Sequence, residues 1–118
     1  MKGKVLIAED ESALVEMLSE VFEDAGFEVV AFDTADIACA QLDEHIADLS
    51  LLFTDVKMPG EKTGLDLVFA ARKVRPDLPI VVSSGYFEGT EQQISQVTLL
   101  PKPWSLGKLI EVCGLDPS

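Results

Sequence analysis

Lys4-Val5-Leu6-Ile7-Ala8, followed at once by Glu9-Asp10, is the stretch on which the fold turns. An unbroken apolar run of this length, with no alternation, fits a strand buried on both faces of a parallel sheet. Leu51-Leu52-Phe53-Thr54 reads the same way and stops before Asp55; Pro79-Ile80-Val81-Val82-Ser83 stops before Ser84. Phe27-Glu28-Val29-Val30-Ala31 and the brief Val97-Thr98-Leu99-Leu100 complete a set of five strands. The intervening stretches carry the 3.6-residue period. Ser12 is placed to cap a helix with Leu14, Met17, Leu18, Val21 and Phe22 along one face, stopped by Gly26. A second helix is expected from about Thr34 to Ile46, with Ile37, Ala38, Gln41, Leu42 and His45 along it. A third follows Gly64, with Leu65, Leu67, Val68, Ala71 and Val74, and a last runs from Ser105 to Val112 and ends at Gly114. The segment from Gly85 to Gln96 has few apolar residues and contains Gly85 and Gly89, which predicts a short or weak helix there. Strands alternating with helices define βαβ units, hence an α/β fold with a parallel sheet covered on both faces.

The chain has 118 residues, enough for one domain (1–118) with its own core. Nine Lys and Arg stand against 21 Asp and Glu, a formal charge of −12, with the excess in the first half. Such a balance argues against nucleic acid as a direct partner, because phosphate recognition needs a basic face. No apolar run approaches the ~20 residues of a membrane span, and the N-terminal apolar run is too short for a signal peptide. Two cysteines, Cys39 and Cys113, are too few for a disulfide scaffold, so reduced thiols in a cytoplasmic protein are expected.

In an open α/β sheet the ligand site lies outside the carboxyl ends of the strands. The residues just past those ends are Glu9 and Asp10, Asp55, Ser84 and Lys102. Three carboxylates brought together repel one another and call for a cation; an all-oxygen donor set selects a hard one, Mg²⁺ or Ca²⁺. A carboxylate can also act as a nucleophile toward phosphorus. Charge then develops on the phosphoryl oxygens, where a lysine ammonium and a hydroxyl are the groups that stabilise it. His45, the sole histidine, lies on the second helix away from this edge and is read as structural. The acids Glu16, Glu20, Glu23 and Asp24 are read as a solvated helix face, and the side chain of Lys57 as solvated.

Glu9-Asp10, the segment Asp55-Val56-Lys57-Met58-Pro59-Gly60, the pair Ser84-Gly85, and Lys102-Pro103 stand in an order that resembles the receiver domain of two-component response regulators. The resemblance covers essentially the whole chain. It implies a flavodoxin-like, doubly wound five-stranded sheet of order 2-1-3-4-5. It further implies phosphotransfer from a histidine to Asp55, with Ser84 and Lys102 contacting the phosphoryl group. Mg²⁺ would be bound by Asp10, Asp55 and the backbone carbonyl of Lys57, with Glu9 acting through a water. The implied partners are a histidine kinase or a histidine phosphotransfer protein.

Four features depart from the family pattern. Glu9 replaces the commoner Asp, and the loop from Gly60 to Gly64 is one residue longer. Ser84 and Lys102 are closer in sequence by about one helical turn, and Leu99 stands where a switch aromatic is usual. The run Ser83-Ser84-Gly85-Tyr86 resembles an atypical receiver subgroup, and Tyr86 in a weakly anchored segment is the expected alternative switch. Trp104, the only tryptophan, is a candidate reporter of the site. The expectation is a single-domain switch or phosphotransfer intermediate, not an enzyme beyond self-catalysed phosphotransfer and autodephosphorylation; a receiver excised from a longer hybrid kinase stays open. A phosphohydrolase with an Asp nucleophile would carry a second carboxylate two residues on, where Lys57 stands. A fold-only interaction domain would typically lose the acids or the lysine.

Overall fold

A computed structural model of the chain describes residues 3–85 and 97–115. Five strands, β1 (Lys4–Ala8), β2 (Glu28–Phe32), β3 (Leu49–Asp55), β4 (Ile80–Ser84) and β5 (Val97–Pro101), form one sheet. All neighbours are parallel, in the order β2-β1-β3-β4-β5. The helices are α1 (Ser12–Asp24), α2 (Ala35–His45), α3 (Gly64–Val74) and α4 (Leu106–Cys113), with one 3₁₀ turn at Ile46–Asp48. The expected flavodoxin-like topology is thus present. The predicted weak helix between β4 and β5, and Tyr86 within it, lie outside the described residues.

Successive strand residues point to opposite faces of the sheet, so each continuous apolar run feeds two cores. Leu6, Leu52 and Val82 pack with Ala38, Leu42, Leu67 and Val68 of α2 and α3. Val5, Ile7, Phe53 and Val81 pack with Leu18 and Phe22 of α1 and Leu109 of α4. Each fully buried Leu or Phe in these layers contributes about 2 kcal/mol relative to exposure. Leu99 is half-buried against the α2–α3 layer, an apolar filler at the position where the resemblance implied an aromatic.

Several boundaries move by a residue or two, for physical reasons. Ser12 does not cap α1: Glu11 is the N-cap residue, without a side-chain bond, and Ser12 is already helical. The carbonyl of Glu11 accepts the N–H groups of Leu14 and Val15, which starts the helix early. β3 begins at Leu49 because the ladder with β1 carries an irregularity between Lys4 and Val5, which pair with Leu49 and Leu51. Exposed Ser50 occupies it, a polar residue at which the apolar run breaks off. β4 extends through Ser84, which pairs with Pro101. β2 is shifted one residue, to Glu28–Phe32. Ile37 does not join the core and is 46% exposed.

Candidate functional site

β1, β3 and β5 deliver the four charged groups of the site to one edge. Glu9 follows β1, and its N–H donates to the carbonyl of Phe32 at 3.0 Å, which fixes the backbone against β2. Its carboxylate is 1% exposed, points inward and accepts the N–H of Glu11 at 3.1 Å. Asp10, the next residue, is exposed. Asp55 is the last residue of β3 and is buried; its Oδ1 accepts the N–H of Val56 at 2.6 Å. Lys102 leaves β5 with its N–H donating to the carbonyl of Ser84 at 2.8 Å. Its Nζ reaches Asp55 Oδ2 at 3.0 Å and Glu9 Oε1 at 3.3 Å. Both Asp55 oxygens therefore accept a hydrogen bond, and the plane of the carboxylate is set.

One carboxylate oxygen each from Glu9, Asp10 and Asp55 lies within 4.8 Å of the others. Three formal negative charges against one ammonium leave −2, the charge that a single divalent cation balances. The titration of the buried members reflects this crowding. Burial pushes the Glu9 carboxyl above its ordinary value; the Glu11 N–H opposes the rise, and the Asp55 charge adds to it. For Lys102 burial works downward, but the hydrogen bond and charge of Asp55, with Glu9 behind them, carry the ammonium above its ordinary value. These oxygens are hard, close and anionic, and they fit a hard cation.

Two further features frame the site. Ser84 is buried at the end of β4. The neighbouring Ser83 hydroxyl accepts the indole N–H of Trp104 at 2.9 Å, and Trp104 meets Phe53 edge-on with 6.3 Å between ring centroids. That bond joins the end of β4 to the segment following Lys102. Beside it opens an apolar groove of about 460 Å³, lined by Leu14, Met17, Pro103 and Trp104, with Glu11 and Lys102 at its rim.

A family model for the response regulator receiver domain matches residues 5–113. The chain belongs to the response regulator receiver family. Among curated relatives, the DNA-binding transcriptional regulator NtrC of Bradyrhizobium is 31% identical over 118 residues, covering 95% of this chain and 24% of NtrC. The response regulator receiver protein CpdR of Brucella abortus is 36% identical over 83 residues, covering 70% of this chain and 67% of CpdR. This receiver thus spans about a quarter of the NtrC length. Among solved structures, the receiver domain of the hybrid histidine kinase CckA matches with a TM-score of 0.79 at 31% identity, over 95% of this chain and 96% of that one. A response regulator receiver protein from Sinorhizobium medicae matches with a TM-score of 0.85 at 26% identity, over 95% and 91%.

The structure brings Glu9, Asp10, Asp55 and Lys102 together as the sequence implied, with Ser84 at the end of the same sheet edge. Lys57 is exposed, in the loop after β3. His45 lies at the far edge, where Lys4 Nζ approaches its Nδ1 at 3.2 Å. Cys39 and Cys113 are free and half-buried, and burial holds the Cys113 thiol up at about 12. The groove beside Lys102 and the Trp104–Ser83 bond carry no sequence motif. Only the solitary Trp104 after Lys102-Pro103 hinted at them.

Proposed function

We propose that the chain accepts a phosphoryl group from a phosphohistidine onto Asp55, with Mg²⁺ held by Asp10, Asp55 and the Lys57 carbonyl and Glu9 contributing through a water. The observation that carries this reading is the convergence of three carboxylates within 4.8 Å, one of them 3.0 Å from an ammonium. An Asp55 oxygen attacks phosphorus, the P–N bond to the donor imidazole breaks, and its electron pair stays on the imidazole nitrogen. Lys102 shifts its ammonium from the carboxylate to a phosphoryl oxygen, and the Ser84 hydroxyl donates to another. Mg²⁺, when bound, supplies positive charge opposite the phosphoryl oxygens and relieves the repulsion among the carboxylates. Water attack on phosphorus later returns the Asp55 carboxylate and inorganic phosphate.

No reaction on a separate substrate is assigned: Lys57 stands two residues past Asp55, where a phosphohydrolase with an Asp nucleophile would carry its second carboxylate. The donor is a histidine kinase or histidine phosphotransfer protein, acting in the cytoplasm. The apolar groove beside Lys102 is the surface such a donor would cover as it approaches Asp55. We place the chain in the atypical subgroup with Gly85-Tyr86 after the hydroxyl residue, on the strength of that motif and of Leu99. The output is then a protein contact or onward phosphotransfer.

Incubation with acetyl phosphate and Mg²⁺ should add one phosphoryl group, seen by intact mass and labile to acid and base. Chelation of Mg²⁺ or Asp55→Asn should abolish it. Undiminished labelling of the Asp55→Asn chain overturns the assignment.

A further inference from the structure

The loop between β3 and α3 carries Lys57, and it is tied down in more than one way. At its start, Val56 is buried and Met58 packs on the α2–α3 core, so exposed Lys57 sits between two anchored neighbours. At its end, Thr63 and Asp66 form a reciprocal capping box, and the N–H of Gly64 donates to the carbonyl of Val56 at 2.7 Å. Those contacts are local. A further tie comes from another element: Asp36, in the first turn of α2, accepts the N–H of Glu61 on Oδ2 at 3.1 Å and of Lys62 on Oδ1 at 2.7 Å.

The backbone is shaped to admit this carboxylate. Gly60 has φ +114, a conformation that L side chains rarely adopt, and a Cβ there would stand 2.8 Å from Asp36 Oδ2. A residue with a side chain at 60 would thus meet both a backbone penalty and the carboxylate itself. The two amide bonds draw the Asp36 carboxyl below its ordinary value, the mark of an anion held by donors. An acid in a first helical turn is common for the helix dipole alone. Two N–H groups converging from 25 and 26 residues away are not explained by that.

We propose that Asp36 is a positioning residue for the cation site: its carboxylate, reaching from α2, holds residues 60–62 and thereby fixes the loop that presents the Lys57 carbonyl. The inference rests on the cation reading given above. Partners of this kind outside the ligand set set ligand orientation, and their loss typically weakens metal affinity 10- to 100-fold. Here the tie acts through backbone rather than on a ligand directly, so the expected loss lies below that range, about 3- to 10-fold.

The experiment is a Mg²⁺ titration of the uniformly ¹⁵N-labelled chain followed by amide shifts, with hydrogen exchange measured on the same samples, for wild type, Asp36→Ala and Asp36→Asn. Asp36→Ala should unprotect the amides of Glu61 and Lys62 and raise the Mg²⁺ dissociation constant about 3- to 10-fold while β-sheet amides stay protected. Asp36→Asn keeps one acceptor oxygen and should fall between. Unprotected amides with unchanged Mg²⁺ affinity would make Asp36 a loop tether without bearing on the site, and would overturn the proposal. Unchanged protection at Glu61 and Lys62 overturns it as well. A wild-type chain that binds no Mg²⁺ overturns the cation reading itself; the amide protections then still decide whether Asp36 anchors the loop.

Discussion

Two arms embrace Asp55, and they are built from different forces. The β3–α3 arm, residues 56–64, is held by neutral backbone donors: Val56 N–H on Asp55, Gly64 N–H on Val56, and the Glu61 and Lys62 amides on Asp36. The β1–β5 arm is held by charge: Lys102 lies between Glu9 and Asp55, and Glu9 turns inward although it is nearly fully buried. Apart from the Val56 N–H on Asp55 itself, these backbone hydrogen bonds involve no group of the cation site and should keep their geometry when it is filled. A lysine shared between two carboxylates should not, because any cation or phosphoryl group that enters competes for the same charges. On the function proposed above, the first arm stays fixed and the second responds.

The fixed arm should be intolerant of bulk. A Cβ at Gly64 would collide with the Asp55 carbonyl, which cannot retreat without moving β3, and would crowd the Thr54 hydroxyl. Gly64→Ala should cost about 3 kcal/mol and lower the denaturation midpoint accordingly. Gly107→Ala on α4 serves as the control. Its Cβ would meet only Ser105 Oγ at 3.9 Å, so the usual helix gain of about 0.5–1 kcal/mol should appear instead. Equal effects at the two glycines would mean that the arm yields like an ordinary loop.

The responsive arm should fail differently. Lys102→Met leaves the buried Glu9 and Asp55 carboxylates facing each other with no ammonium between them. Lys102 is partly exposed, so the expected loss is about 2 kcal/mol rather than the larger figure for a fully buried pair. Under the cation reading, saturating Mg²⁺ stabilises any variant whose site still binds it. It should raise Lys102→Met by more than wild type and so recover much of that loss, whereas Gly64→Ala should gain no more than wild type does. Denaturant melts of wild type and both variants with and without Mg²⁺ decide the matter. Parallel responses would erase the distinction between the arms.

Most of this was legible in the sequence, because the decisive signals are local. Continuous apolar runs specify strands covered on both faces, and the residues at their carboxyl ends must share an edge once the sheet is parallel. Glu9, Asp10, Asp55 and Lys102 followed from that logic. What could not be read are the contacts made away from the strand ends, where topology does not announce them. The Asp36 carboxylate meets Glu61 and Lys62 across 25 and 26 residues, and the Trp104 indole meets Ser83 across 21, with no periodicity to announce either. Ser12 looked like an N-cap by residue type, yet the helix starts one residue early, since hydroxyl preference is weaker than the carbonyl geometry at Glu11. Ser50 interrupted an apolar run that the backbone carries through.

The finest test of the two arms is the order in which they titrate. Glu9 has its carboxyl raised above 4.5, chiefly by burial; its protonated form favours the fold below that ordinary value, and the advantage vanishes as pH rises through the raised one. Asp36 has its carboxyl lowered below 3.8 by the Lys62 and Glu61 amides, so its contribution is present above 3.8 and is lost as pH falls through the lowered value. Lys102, raised above 10.5, keeps its charge throughout this range. Acidification of the metal-free chain should therefore act on the responsive arm first. Protonation of Glu9 weakens its hold on the Glu11 N–H, and the Glu11 amide should shift with a midpoint above 4.5. The Glu61 and Lys62 amides should move later, with a midpoint below 3.8. Amide shifts followed from neutral pH down to the acid transition give both midpoints in one series. Coincident midpoints, or the reverse order, would show that a single network holds both arms.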